Sequence, residues 1–217
     1  MGQEWGQADK VIVHSEHSRV ALLAQGVDAG RCVVVPPAFK SATTQTARQL
    51  DSSRPFRVLF VGNHCLAKGY NVFVDAARQA GAGFEFLSVG SQTMKSSYIE
   101  EASKHVTILG AKSQAGVREQ MKRADVLVFP TLSDGFGLVQ LEAMTAGLPV
   151  IATPCCGEVV KNRVNGLIVP PRDAQAIVSA LHALKADAER YEQLSLAASL
   201  RSLDYSPAFH FEALLGL

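Results

Sequence analysis

The 217-residue chain is 47% hydrophobic and 19% charged, which supplies a sizeable core and excludes disorder as its main character. Its 21 Lys and Arg against 20 Asp and Glu leave a formal charge of +1, so the composition offers no electrostatic basis for wrapping nucleic acid or coating anionic lipid. The polar start Met1-Gly2-Gln3-Glu4-Trp5-Gly6 does not read as a secretory signal, and no apolar run is long enough to span a bilayer, which predicts a soluble, cytoplasmic protein.

In chain order, Val11-Ile12-Val13 reads as a short strand, followed by a helix over residues 16–25 with Ser15 as its cap and Gly26 as its stop. Val33-Val34-Val35 reads as a second strand, halted by Pro36-Pro37. Residues 41–54 are aperiodic and rich in Ser, Thr and Gln, as a linker is. Beyond them strands alternate with helices: strands at 57–61, 84–89, 106–109, 125–129, 149–153 and 164–169, helices at 68–79, 113–123 and 137–146, a charged helical segment before Val106, and two final helices at 173–186 and 188–203. This alternation predicts a doubly wound α/β fold with a parallel, Rossmann-like sheet. Ligands bind such sheets at the C-terminal strand ends, which directs attention to the loops after Val61, Val89, Leu109, Phe129 and Thr153.

The first of these loops runs Gly62-Asn63-His64-Cys65-Leu66-Ala67-Lys68-Gly69. Gly62 lets a ligand approach the backbone, and Lys68 at a helix mouth suits a phosphate. Ala67 and Gly69 depart from the Walker pattern, which excludes a standard NTPase magnesium site. Read alone, a tight turn carrying a solvated lysine is the more ordinary account. The loop after Phe129 says more. Asp134 stands in the loop and Glu142 eight residues later in the next helix, on the edge of a stripe formed by Leu138, Leu141, Met144 and Thr145. Sugar or ribose hydroxyls would satisfy a carboxylate placed there, and the amides near Gly137 and Leu138 open a helix suited to a diphosphate. A capped helix whose carboxylate is met by neighbouring backbone is an equal alternative at this point. Two carboxylates also suggest glycoside hydrolysis, but phosphate-suited helix starts favour a nucleotide-linked substrate.

Other constellations carry less. His14 and His17 have no further ligands beside them, so they read as the start of a helix rather than a metal site. Cys32, Cys65, Cys155 and Cys156 show no repeated Cys-x-x-Cys and read as free thiols. Tyr70 and Phe73 read as core, and Phe136 as the one aromatic facing a ligand.

Together, Phe60-Val61-Gly62, Lys68-Gly69, Asp125 to Pro130, Gly135-Phe136-Gly137, Glu142-Ala143-Met144, Gly147-Leu148-Pro149-Val150 and Asn165-Gly166-Leu167 resemble retaining GT-B glycosyltransferases of family GT4. The resemblance covers most of residues 55–200. It implies that 1–40 is a remnant of the N-terminal acceptor domain, 41–54 the linker, 55–204 the donor-binding domain and 205–217 a C-terminal helix returning toward the first domain. The implied reaction transfers a sugar from a nucleoside diphosphate sugar to an acceptor hydroxyl, with no cofactor and no metal. The acceptor, a sugar, lipid or small molecule, would be bound mainly by an N-terminal domain outside this chain, with room for peripheral membrane contact in the full-length protein.

Residue by residue, the resemblance implies that Lys68 neutralises the diphosphate beside Gly62 and Asn63. Phe136, Gly137 and Leu138 offer backbone to phosphate or sugar. Glu142 holds the ribose, Asp134 faces the transferred sugar, and Gly110-Ala111-Lys112 form the base pocket. Three positions depart from the family: Asp134 stands for glutamate, Asn63 for arginine, and Cys155-Cys156-Gly157 for a loop richer in glycine, so that Cys156 is expected to crowd the donor. A non-catalytic nucleotide-sugar-binding module or truncated gene product is the alternative from another class, and a sugar-nucleotide epimerase of similar architecture is a third.

Overall fold

The computed structural model describes Trp5, residues 7–40 and residues 47–215. Its first unit is β1 (Val11–Val13), α1 (Glu16–Leu23) and β2 (Cys32–Val34), with the two strands parallel and Val11 opposite Cys32. Ser15 caps α1 from an extended backbone, its hydroxyl accepting the Ser18 N–H at 3.1 Å. Residues 41–46 of the expected linker lie outside the described residues. Residues 47–54 form no helix or strand, yet they are fastened to the second unit. The Arg48 guanidinium donates to the carbonyls of Met121 and Lys122 at 3.1 and 2.6 Å, and Arg54 makes a two-pronged ion pair with buried Asp125 at 2.6 and 2.8 Å.

The second unit runs β3 (Phe56–Val61), α2 (Tyr70–Gln79), β4 (Phe84–Val89), α3 (Ser96–Ala102), β5 (Thr107–Ile108), α4 (Gln114–Arg123), β6 (Val126–Phe129), α5 (Leu138–Thr145), β7 (Val150–Ala152) and β8 (Gly166–Ile168). Then come α6 (Ala174–Ala186), α7 (Ala188–Arg201), a 3-10 turn and α8 (Pro207–Leu215). The strands lie in the order β5-β4-β3-β6-β7-β8, all parallel. The chain enters at the centre, winds outward through β4 and β5, then returns to β6 and winds the other way. This is the doubly wound sheet that the alternation of elements predicts. No helix among the described residues is long and apolar enough to cross a membrane.

Successive strand side chains point to opposite faces, so the sheet divides two cores. Val58, Phe60 and Val128 join Phe73, Leu181 and Tyr191 on one face, and Leu59, Leu127 and Phe129 join Leu141, Met144 and Leu148 on the other. Two helices start later than their patterns predict because Gly69 and Gly137 take left-handed backbone at φ 69° and 80°, leaving Tyr70 and Leu138 as the first helical residues. The strand expected over 106–109 shrinks to two residues at the sheet edge, since the Val106 N–H still bonds Ala102 O at the end of α3. Within α5 the buried face is Gln140, Leu141, Ala143 and Met144; Leu138, expected on the sheet, is 45% exposed.

The break in winding direction falls between β3 and β6. Their C-terminal ends therefore part to leave a crevice, where the general rule for such sheets places a ligand.

Candidate functional site

The crevice has a volume of about 570 Å³ and is flanked by the loop after β3 and the loop after β6. In the first loop, the Gly62 N–H is held by Val89 O at 2.9 Å. A Cβ added at Gly62 would meet nothing closer than the Phe60 ring at 3.8 Å, so its backbone is open on the crevice side. Below it, the fully buried His64 ring stacks on Tyr70 with centroids 4.1 Å apart. Burial pushes the His64 pKa down, and neither ring nitrogen has a hydrogen-bond partner among the described residues.

Gly69 joins the two loops. A Cβ there would sit 1.9 Å from Pro130 O, so only glycine permits the approach. Beside it, the Thr131 hydroxyl and the Leu132 N–H both donate to Ala67 O, at 3.1 and 2.8 Å. On its far side the second loop is tied to the segment after β7: Asp134 N–H donates to Cys155 O at 3.0 Å, and Gly157 N–H to Phe136 O at 3.1 Å. Buried Gln140 reaches back from α5, its amide donating to Phe136 O at 3.1 Å. Past Gly137 the helix opens, and the Leu138 and Val139 amides take no hydrogen bond among the described residues, as at any helix start.

The functional side chains converge on this frame. Lys68, Gly62, Asp134, Phe136, Gly137, Leu138 and Glu142 all line the one crevice. Lys68 Nζ forms an ion pair with Asp134 Oδ2, and Asp134 Oδ1 accepts the Phe136 N–H at 3.2 Å. Glu142 stands on α5 where the crevice meets a second cavity of about 510 Å³ between α4 and α5, with Arg118, Met121 and Lys122 on its walls. Burial raises the Glu142 pKa, opposed by the charge of Arg118. No donor among the described residues is bonded to this carboxylate, which leaves its oxygens free to accept from a bound hydroxyl.

Several expectations are placed elsewhere. Asn63, Gly110 and Ala111 do not line the crevice. Asn63 is exposed with its carbonyl turned into the loop toward Cys65 N–H, and Gly110 O accepts Gly90 N–H at 3.1 Å. From that region Lys112, Gln114 and Val117 reach the crevice instead. Phe136 is 6% exposed and packs edge-on against Tyr205, so its ring is chiefly core with one edge in the crevice wall. Cys156 does not line the crevice: it is buried, its thiol donates to Thr153 O at 3.4 Å, and burial raises its pKa to about 12.

Among the crevice residues that the sequence did not point to, His14 is the titratable one. His14, at the C-terminal end of β1, lines the crevice from the first unit, with Nδ1 3.0 Å from Val35 O. Its neighbour Ser15 and Ser18 both donate to Gly135 O, at 2.5 and 3.1 Å, fixing α1 against the β6 loop. The only cue was its position: the end of a parallel strand, like the other loops. At the other end of the chain, His210 Nδ1 on α8 lies 2.7 Å from Pro36 O, and Phe39 N–H donates to Tyr205 O in the 3-10 turn, so both contact the segment after β2.

This fold and crevice define a doubly wound domain of the kind that forms half of a GT-B glycosyltransferase. Residues 55–187 match the family described as Glycosyl transferases group 1, and the chain belongs to that family. Among curated relatives, it is 33% identical to a glycosyltransferase of Methanocaldococcus jannaschii over 51% of the chain and 32% of the relative. It is 29% identical to the D-inositol 3-phosphate glycosyltransferase of Nocardia farcinica over 96% of the chain and 52% of the relative. Among solved structures, Anabaena HepE in complex with UDP superposes with a TM-score of 0.82 at 22% identity, covering 97% of this chain and 64% of that one. The chain thus spans about half the length, or less, of these curated relatives.

Proposed function

We propose that this chain is the donor-binding half of a retaining GT4 glycosyltransferase, transferring a sugar from a nucleoside diphosphate sugar to an acceptor hydroxyl. The observation that carries the reading is the meeting of Lys68, the open amides of α5 and the Glu142 carboxylate in one crevice at the switch point of the sheet. A diphosphate lies between the first two, and the ribose hydroxyls meet the third. As the glycosyl bond breaks, negative charge gathers on the leaving diphosphate, and these fixed positive groups stabilise it without a metal ion. Asp134 faces the transferred sugar. The structures of HepE with UDP and with UDP-glucose lend support to a nucleotide-sugar donor. In this reading residues 1–40 belong to the acceptor domain, whose remainder completes the enzyme, so this chain alone binds donor and transfers poorly.

Calorimetric titration of the chain with UDP and GDP tests the assignment. At least one should bind, and Lys68→Ala should weaken that binding by roughly tenfold or more, as expected for loss of a charge-assisted phosphate contact. Equal affinity in the two proteins removes the phosphate site and the reading with it.

A further inference from the structure

The cation assigned to the diphosphate is not waiting alone. Lys68 Nζ is paired with Asp134 Oδ2, and Asp134 is held from its other oxygen by the Phe136 N–H at 3.2 Å. The Asp134 N–H is itself bonded to Cys155 O, so backbone and side chain of this residue are both fixed. The Asp134 side chain is 17% exposed and that of Lys68 30%, so the pair is partly shielded from water and from salt. A ligand phosphate that approaches Lys68 therefore approaches a carboxylate as well.

We infer that Asp134 is a specificity-determining residue that makes the crevice favour a sugar-linked diphosphate over the free nucleoside diphosphate. The inference rests on the donor-site reading above and adds to it a charge filter. A sugar on the terminal phosphate blocks one of its ionisable oxygens. The free nucleoside diphosphate ionises there with a pKa near 6, as phosphate monoesters do, and so carries close to one additional negative charge at neutral pH. In the donor-site reading Asp134 faces the transferred sugar, so that extra charge sits on the phosphate next to its carboxylate. Like charges at such a distance repel, whereas the hydroxyls of a sugar donate to the same carboxylate. One residue thus penalises the spent product and receives the intact donor. The other charged groups of the crevice, Lys112 before α4 and Glu142 on α5, make no ion pair with Lys68 or Asp134 among the described residues.

The filter separates from the simple loss of a partner for Lys68. Replacing Asp134 by asparagine keeps shape and an acceptor for the Phe136 N–H but frees Lys68, which aids both ligands alike. The ratio of their affinities, not either affinity, isolates the carboxylate. The test is titration calorimetry on the 217-residue chain with UDP, UDP-glucose and UMP, for wild type, Asp134→Asn, Asp134→Glu and Lys68→Ala. In Asp134→Asn the affinity ratio of UDP to UDP-glucose should rise by about fivefold or more, the size of one unit-charge interaction in a watery site. Asp134→Glu, which restores the charge, should return the ratio to near its wild-type value. UMP binding should change little in any Asp134 variant, which shows that the nucleoside end of the crevice remains folded.

An unchanged ratio in Asp134→Asn, with UMP still bound, overturns the filter and leaves the donor site standing. A lowered ratio overturns it as well. Binding of UDP and UDP-glucose that is indifferent to Lys68→Ala, or absent in the wild type together with binding of GDP, overturns the donor-site reading itself, and the filter goes with it.

Discussion

The two walls of the crevice present different groups to a ligand. The wall after β3 is held by hydrogen bonds from Gly62 N–H to Val89 O and from His64 N–H to Ser91 O, with the His64 ring stacked on Tyr70 beneath it, and contributes one long-stemmed cation, Lys68. The wall after β6 is tied on both flanks by hydrogen bonds, to Ala67 on one side and to Cys155 and Gly157 on the other, and contributes backbone amides and short carboxylates. An adjustable charge thus faces fixed dipoles. Such a division lets one wall follow a ligand while the other sets its register, which a pair of equally rigid or equally loose walls does not.

The largest effect should come from breaking the join between the walls. Gly69→Ala forces a side chain against Pro130 O in left-handed backbone and should destabilise the fold by about 3 kcal/mol or more, read from urea unfolding with an unchanged slope. A loss below about 1 kcal/mol would show that the walls are not clamped there. The next test isolates the wall after β3. His64 is buried with its pKa depressed below the ordinary 6.5, so the unfolded chain binds its proton more readily. The stability linked to His64 is complete above that value and is lost as pH falls through 6.5 toward the folded pKa. Wild type should weaken on this account between pH 7 and pH 5, and His64→Phe should show a flatter profile. Parallel profiles would exonerate the histidine.

The smallest effect belongs to the wall after β6. Glu142 has its pKa raised by burial, so here the folded chain holds the proton more tightly and stability falls as pH rises through the carboxylate range. Glu142→Gln should therefore be slightly more stable than wild type at pH 7, by under about 1 kcal/mol, with the advantage vanishing as pH drops toward 4.5. A variant less stable at neutral pH would mean that the carboxylate is held by the protein rather than left for a ligand.

Much of this was legible in the residues because it is local. Runs such as Val126–Phe129, buried on both faces, and helical spacing in 70–79 depend on neighbours along the chain, and the strand at 84–89 is found where its pattern puts it. What was not legible depends on contacts between distant residues. Nothing near Lys68 signals that it pairs with a carboxylate 66 positions away. The exchange of Leu138 for Gln140 on the buried face of α5 follows from where Gly137 starts the helix, and a stripe read over two turns does not fix that phase. His14 belongs to a different unit, and its place in the crevice depends on how Ser15 and Ser18 grip Gly135 O. The departures at Asn63 and Cys156 were legible as differences, but that neither lines the crevice was not.

The contact between Gly69 and Pro130 O constrains traffic as well as stability. With Ala67 also bonded to Thr131 and Leu132, the floor of the cleft cannot gape, so a visitor does not arrive from beneath or by prising the jaws apart. The first unit borders the same cleft through His14 and Pro37. The first unit is thus the doorpost of the cleft, and any shift of α1 on Gly135 O widens or narrows the doorway while the floor stays shut.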